Sequence, residues 1–196
     1  MTGYGADANI ENLSGVVYSD LGLANAAALD TLITALNNQV AVMINTYCRR
    51  DFNTHTAAEV TQRADNSFVM TVPHRPIISI TSITENKQTV DSDTYFIRQV
   101  PGSSSLAGAI ERLYRWWTKQ SLYVITYNWG YASPPADVVF ANEQIAISIL
   151  QGMVQRQRTG NAQSVSFGGY SVSYAGLTDH QTMLMEALSP YRQVVV

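Results

Sequence analysis

Charge is scarce in this chain of 196 residues: 14% are Asp, Glu, Lys or Arg, against about 25% in a typical soluble domain. Lysine is nearly absent, with Lys87 and Lys119 alone, and no basic run occurs. The electrostatic footprint for gripping a nucleic-acid backbone is therefore missing. The pairs Arg49/Arg50 and Arg156/Arg158 are too small to make a patch. Cysteine occurs once, as Cys48, which excludes an intramolecular disulfide and fits a reducing compartment. No uninterrupted apolar run approaches the roughly 18 residues that span a bilayer. Met1 to Ser14 is polar, with Asp7 and Glu11, and lacks the positive-then-apolar layout of a signal peptide. The chain reads as soluble and cytoplasmic, without a membrane partner.

Recognisable chemistry is equally sparse. The histidines His55, His74 and His180 lie at no metal-ligand spacing from Cys, Asp, Glu or one another, the Asp179-His180 neighbours aside. Cys48 follows the end of an apolar stripe beside Arg49 and Arg50, but no base with an orienting partner lies near in sequence, so a buried structural thiol is expected. Asp91-Ser92-Asp93 lacks the glycine and distal glutamate of a calcium loop and reads as a solvated turn. Gly168-Gly169 lacks the lysine and following helix of a phosphate cradle. Trp116, Trp117, Tyr123, Tyr127, Trp129 and Tyr131 have only Arg115 and Lys119 beside them and no regular interleaving of basic residues, so they point to core or interface packing in preference to base stacking. No catalytic residue, cofactor or metal site is expected.

What is present is apolar content, 46% of residues, with a polar remainder rich in Asn, Gln, Ser and Thr. Amides and hydroxyls cost less to desolvate than ions do, and the centres of protein interfaces are depleted in Lys, Glu and Asp. The composition points to a protein that works by contacting other chains.

Residues 1–20 carry Gly3, Gly5 and Gly15 without clear periodicity and read as an N-terminal arm ordered by a partner. Asn25 caps a helix with Leu29, Leu32, Ile33, Leu36, Val40, Met43, Ile44 and Tyr47 on one stripe, within a helical segment 22–56. A β insert follows over 57–130, with strands expected at 67–72, 77–83, 94–100, 109–117 and 122–127. Pro134 and Pro135 start a helix, 134–160, favoured by Asp137 in its first turn and Arg156 and Arg158 near its end. Residues 161–196 read as a hairpin about Gly168-Gly169, a short helix near 179–188, and a tail. The expected fold class is α+β: one domain, a bundle of long and short helices with an inserted small antiparallel β-sheet and a C-terminal β-hairpin.

The order of these pieces carries a resemblance. A long helix ends in Tyr47-Cys48-Arg49-Arg50-Asp51-Phe52, and after the β insert Val124–Tyr127, Gly130-Tyr131 and Pro134–Ala136 lead into the next helix. Ser164 to Tyr174 (SVSFGGYSVSY) and Leu188-Ser189-Pro190-Tyr191-Arg192 follow. Over about 22–192 the chain resembles the head–tail connector (adaptor) proteins of tailed bacteriophages. The resemblance implies a non-enzymatic ring, usually of twelve copies, beneath the portal in the virion neck. Made in the host cytoplasm, it extends the DNA channel, lets duplex DNA pass without specific binding, and docks the tail or a tail-terminator or nozzle protein. Asn37, Asn38, Gln144 and Gln151 are the candidate subunit contacts. Leu188, Pro190, Tyr191, Arg192, Val194, Val195 and Val196 are the candidate portal contacts. The alternatives are a tail-terminator or tail-completion ring, and a small nucleic-acid-binding module or enzyme.

Overall fold

The structure, a computed structural model, describes residues 3–99, 106–159, 164–167, 170–173 and 176–192. Two compact units emerge, 50–133 being inserted between the two halves of the other, 1–49 with 134–196. The α+β expectation holds. The insert is wider than the 57–130 read from the sequence.

The first unit is helical. α1 (Asp7–Ser14) and a 3-10 turn (Tyr18–Leu21) precede α2 (Ala26–Cys48). Asn25 caps α2, its side chain accepting from Ala28 N at 3.0 Å. The helix stops where Arg49 takes the left-handed conformation. Leu29, Ile33, Leu36, Val40, Ala41, Ile44 and Cys48 form its buried stripe. Its main partner is α3 (Ala136–Thr159), which buries Val138, Ala141, Ile145, Ala146, Leu150 and Val154. An 18-residue window of α2 reaches a mean hydropathy of 1.2, long and apolar enough to cross a membrane by that measure; within this unit its apolar stripe is taken up by helix packing. The hairpin is present as β8 (Ser164–Phe167) and β9 (Tyr170–Ser173), its Gly168-Gly169 turn lying outside the described residues. α4 (Gly176–Ala187) begins earlier than expected and gives way to a 3-10 turn, Ser189–Tyr191.

The N-terminal arm is a correction. Residues 3–21 fold on their own unit: Ile10 is fully buried, Tyr4 and Val16 nearly so, and α1 packs on α2 and α3. The glycines that suggested looseness permit close approach. A Cβ on Gly5 would lie 2.4 Å from Glu143 Cγ, and one on Gly3 would meet the Asn37 side chain.

The second unit holds two antiparallel sheets, where the sequence suggests one. The first is ordered β1-β7-β3-β4, from His55–Arg63, Leu122–Trp129, Ile77–Glu85 and Gln88–Thr89; the other β2-β6-β5, from Val69–Thr71, Leu106–Arg112 and Tyr95–Gln99. Met70, Val72, Ile77, Ile83, Ile110, Trp117, Tyr123, Ile125 and Tyr127 form one core. β1 escaped sequence reading because its half-buried positions are His55, Ala58, Val60 and Gln62, a weak apolar signal. β6 ends at Arg112, short of the expected 117. Leu113 N still donates to Thr94 O at 2.9 Å, residues 114–116 leave the ladder, and Trp117 returns as a single bridge to Ser67 so that its ring enters the core.

Gly130 closes this unit with φ 102°, donating to Pro76 O at 2.9 Å; a Cβ there would sit 2.0 Å from Asn53 O. Gly130→Ala adds backbone strain to a clash with a fixed carbonyl and is expected to cost about 2 kcal/mol or more. Chemical denaturation of the variant against the parent chain measures it.

Candidate assembly surfaces

α2 has only one charged residue in its 23, Asp30. Opposite its buried stripe, Thr31, Ala35, Gln39, Val42, Met43 and Thr46 are exposed, Val42 by 48%. Their spacing of three and four places them along one outer face. Thr31 and Thr46 donate their hydroxyls to the carbonyls of Ala27 and Val42, both at 2.8 Å. With the hydroxyls satisfied inside the helix, removing this face from water costs little. Phe140 on α3 and Met183 on α4 are also more than half exposed.

Asn37 belongs elsewhere. Its Nδ2 donates to Gly5 O at 2.7 Å and to Asp7 Oδ1 at 2.6 Å, and its Oδ1 accepts from Asn142 Nδ2. Beside it, Glu143 Oε1 accepts from Ala6 N at 3.0 Å and Asn9 Nδ2 at 2.9 Å. Buried amides must be satisfied, and Asn37 is satisfied inward, which corrects its choice as a subunit contact. Asn38 and Gln144 are half-buried, and Gln151 is exposed with its Nε2 3.3 Å from Ser14 O.

The C-terminal candidates divide as well. Leu188 is buried, its carbonyl 3.9 Å from Cys48 Sγ, so it serves the unit's own core and is corrected as a portal contact. Tyr191 is half-buried and donates to Asp137 Oδ2 at 3.1 Å; Arg192 is exposed, its guanidinium 5.6 Å from the Tyr47 ring centre. Pro190 is exposed. Val194, Val195 and Val196, the remaining portal candidates, lie outside the described residues. Cys48 is fully buried, as a structural thiol should be.

These helices, their caps and the C-terminal turn fall within a single family match: the model of the head completion protein family covers residues 16–194. The chain belongs to the head completion protein family. The resemblance to head–tail connectors read from the motif order agrees with that membership. No curated protein sequence matches the chain. Among solved structures, this head completion family fold is similar to a chain in the neck of an empty GTA particle computed with C6 symmetry. That match has 16% identity, 98% of this chain and 91% of that one covered, and a TM-score of 0.52. A chain in the virion of a native gene transfer agent (GTA) particle is similar at 15% identity, the same coverages and a TM-score of 0.50. At these identities the likeness is one of fold.

The second unit of this family member carries its own charged cluster. Arg112 Nη1 and Nη2 donate to Glu85 Oε2 at 3.2 and 3.3 Å, tying β6 of one sheet to β3 of the other. The Arg112 guanidinium lies 4.6 Å from the Trp117 ring centre. Glu85 Oε1 accepts from Ser121 Oγ at 2.8 Å and Tyr123 Oη at 3.0 Å. The neighbouring cleft is also lined by Asp91, Thr94, Tyr114 and Arg115. Its acid and base are already paired, which suits a structural clamp.

Nothing in the sequence signalled that His55 and His74 would share one ring, Trp129. Both stack on Trp129, at 4.0 and 4.5 Å between ring centres, and His55 Nε2 lies 3.1 Å from Asp51 Oδ2. Among the described residues no three His, Cys, Asp or Glu side chains are grouped to hold a metal.

Burial pushes the Glu85 carboxyl up, but the hydrogen bonds from Ser121, Tyr123 and Arg112, with the Arg112 charge, outweigh it and hold it below the ordinary 4.5. The folded state thus favours the ionised form. The resulting stability is complete above pH 4.5 and is lost as pH falls through the depressed folded value. Tm is therefore expected to decline on acidification below that point. In Glu85→Gln, calorimetry should find a lower Tm at neutral pH, because Arg112 loses its counter-charge, and a flatter profile in acid.

Proposed function

We propose that this chain is a head–tail connector: a non-enzymatic ring in the neck of a virion, beneath the portal, which continues the DNA channel and receives the tail. The observation that carries the reading is the outer face of α2, exposed along several turns and uncharged apart from Asp30. A closed ring requires two different faces of each copy to meet around a rotation, and a face built of Ala, Val, Met and internally satisfied Thr suits such burial. The head completion family match, and the fold shared with a chain from the neck of a GTA particle, support the same location.

In this reading α2 meets the neighbouring copy, with Asn38, Gln144 and Gln151 near the rim of that contact. Pro190 and Arg192, with Val194, Val195 and Val196 beyond them, reach the portal, and a tail component binds on the opposite side. The copy number expected from the connector resemblance is twelve. DNA passes without being held, since the scarcity of Lys and Arg leaves few counter-charges for phosphates.

Val42→Asp and Met43→Asp test the contact. Both positions are exposed, so the single chain should keep its stability to within about 0.5 kcal/mol. Ring formation on purified portal, counted by electron microscopy, should fall at least tenfold. Normal rings from both variants would remove α2 from the interface. A chain ending at Arg192 that docks normally would remove the last residues from the portal contact.

A further inference from the structure

Among the described strands, one sheet ends in a long open edge and one hairpin has no third strand. β1 is a nine-residue strand at the edge of its sheet, and its backbone ladder is with β7 alone among the described strands, the Gln62 side chain reaching Thr71 O of β2 at 2.9 Å. From Ala58 to Arg63 its register is regular, and no other described strand pairs with it. An open edge of that length is a template for further pairing, which proteins usually blunt with Lys, Pro or a covering segment. β1 contains neither Lys nor Pro, carries only Glu59 and Arg63 as exposed charges, and has its bulge before Ala58, outside the regular stretch. The opposite flank of the sheet is partly closed, by β4 and by Val90 N donating to Ile83 O at 2.8 Å.

The hairpin is the C-terminal one. β8 and β9 pair with each other and with no other described strand. A lone two-stranded ribbon is marginal in water and gains independent stability from a third strand. Its sequence alternates Ser with Val, Phe and Tyr, the period of a strand with one side to bury, and no charged residue occurs from Thr159 to Thr178. Each four-residue strand fits within the six regular residues of β1.

We infer that the β8–β9 hairpin of one copy adds to the free edge of β1 in a second copy, extending that copy's four-stranded sheet. The inference rests on the ring reading above and names a contact distinct from the α2 face. Strand addition supplies affinity through backbone hydrogen bonds and needs little from side chains. That matches a β1 edge whose exposed residues, Glu59, Thr61 and Arg63, offer no apolar pocket.

Amide exchange and cross-linking test it together. Amides of residues 58–63, 164–167 and 170–173 should exchange at least roughly tenfold more slowly in assembled rings than in the single chain. For cross-linking, Thr61→Cys in one preparation is mixed with Ser171→Cys or Ser173→Cys in another, and a short bis-maleimide is added after assembly. Cys48 is fully buried and stays in place, with the unsubstituted chain as control. The expected product joins two different chains at these positions. Rings without added protection at 58–63, or cross-links formed only within one chain of a double variant, overturn the inference and leave the ring reading standing. Failure to assemble on portal under any condition overturns both.

Discussion

Asn37 sets the orientation of everything in the helical unit. It sits on the most apolar helix of the chain, yet is turned inward, bonding Gly5, Asp7 and Asn142 at once. A buried amide left without partners would cost on the order of 1–3 kcal/mol, so this cluster fixes both the rotation of α2 and the docking of α1. Once that rotation is set, Leu29, Ile33 and Leu36 face the core and Ala35, Gln39, Val42 and Met43 face outward. The uncharged outer face is thus a consequence of where the polar residues lie. Gly5 takes part because a side chain there would strike Glu143 of α3, so a glycine is needed to bring this carbonyl to Asn37 on α2.

The elements written as long periodic patterns were legible in the sequence. α2 and α3 lie within a few residues of where the sequence puts them, because stripes of three and four, a good cap and paired prolines all agree. The strands at 77–85 and 122–129 were legible through their β-branched runs. β1 was not, since Ala, Glu, Gln and Arg dilute the signal of Val60 and its threonines, and pairing with β7 decides the strand. The N-terminal segment was misread for a related reason: glycine allows both looseness and close approach, and sequence alone does not say which. Asn37 and Leu188 turn inward for a similar reason: an amide on a weakly charged helix and a residue near a chain end both look exposed until their partners far along the sequence are known.

The inserted unit is held by different means. Its two sheets share an apolar core, and Glu85 and Arg112 join them through a clamp that also engages Ser121, Tyr123 and Trp117. Such a pair is worth little against a well-packed apolar alternative but is costly to break by halves. The insert therefore has a core and a polar lock of its own, so its loops can vary without touching the contacts that order α1, α2 and α3. Leu113, Tyr114 and Trp116, exposed between Arg112 and Trp117, show how far a loop can depart from the ladder while both its ends stay pinned.

The outer face of α2 has one more implication. Mobile ions weaken attraction between charges over about 8 Å at physiological strength, and on this face there is almost nothing for them to weaken. A joint made there would hold equally well in the crowded interior of a cell and in dilute fresh water. An assembly that must outlive the cell that built it would keep its cohesion across that change of medium.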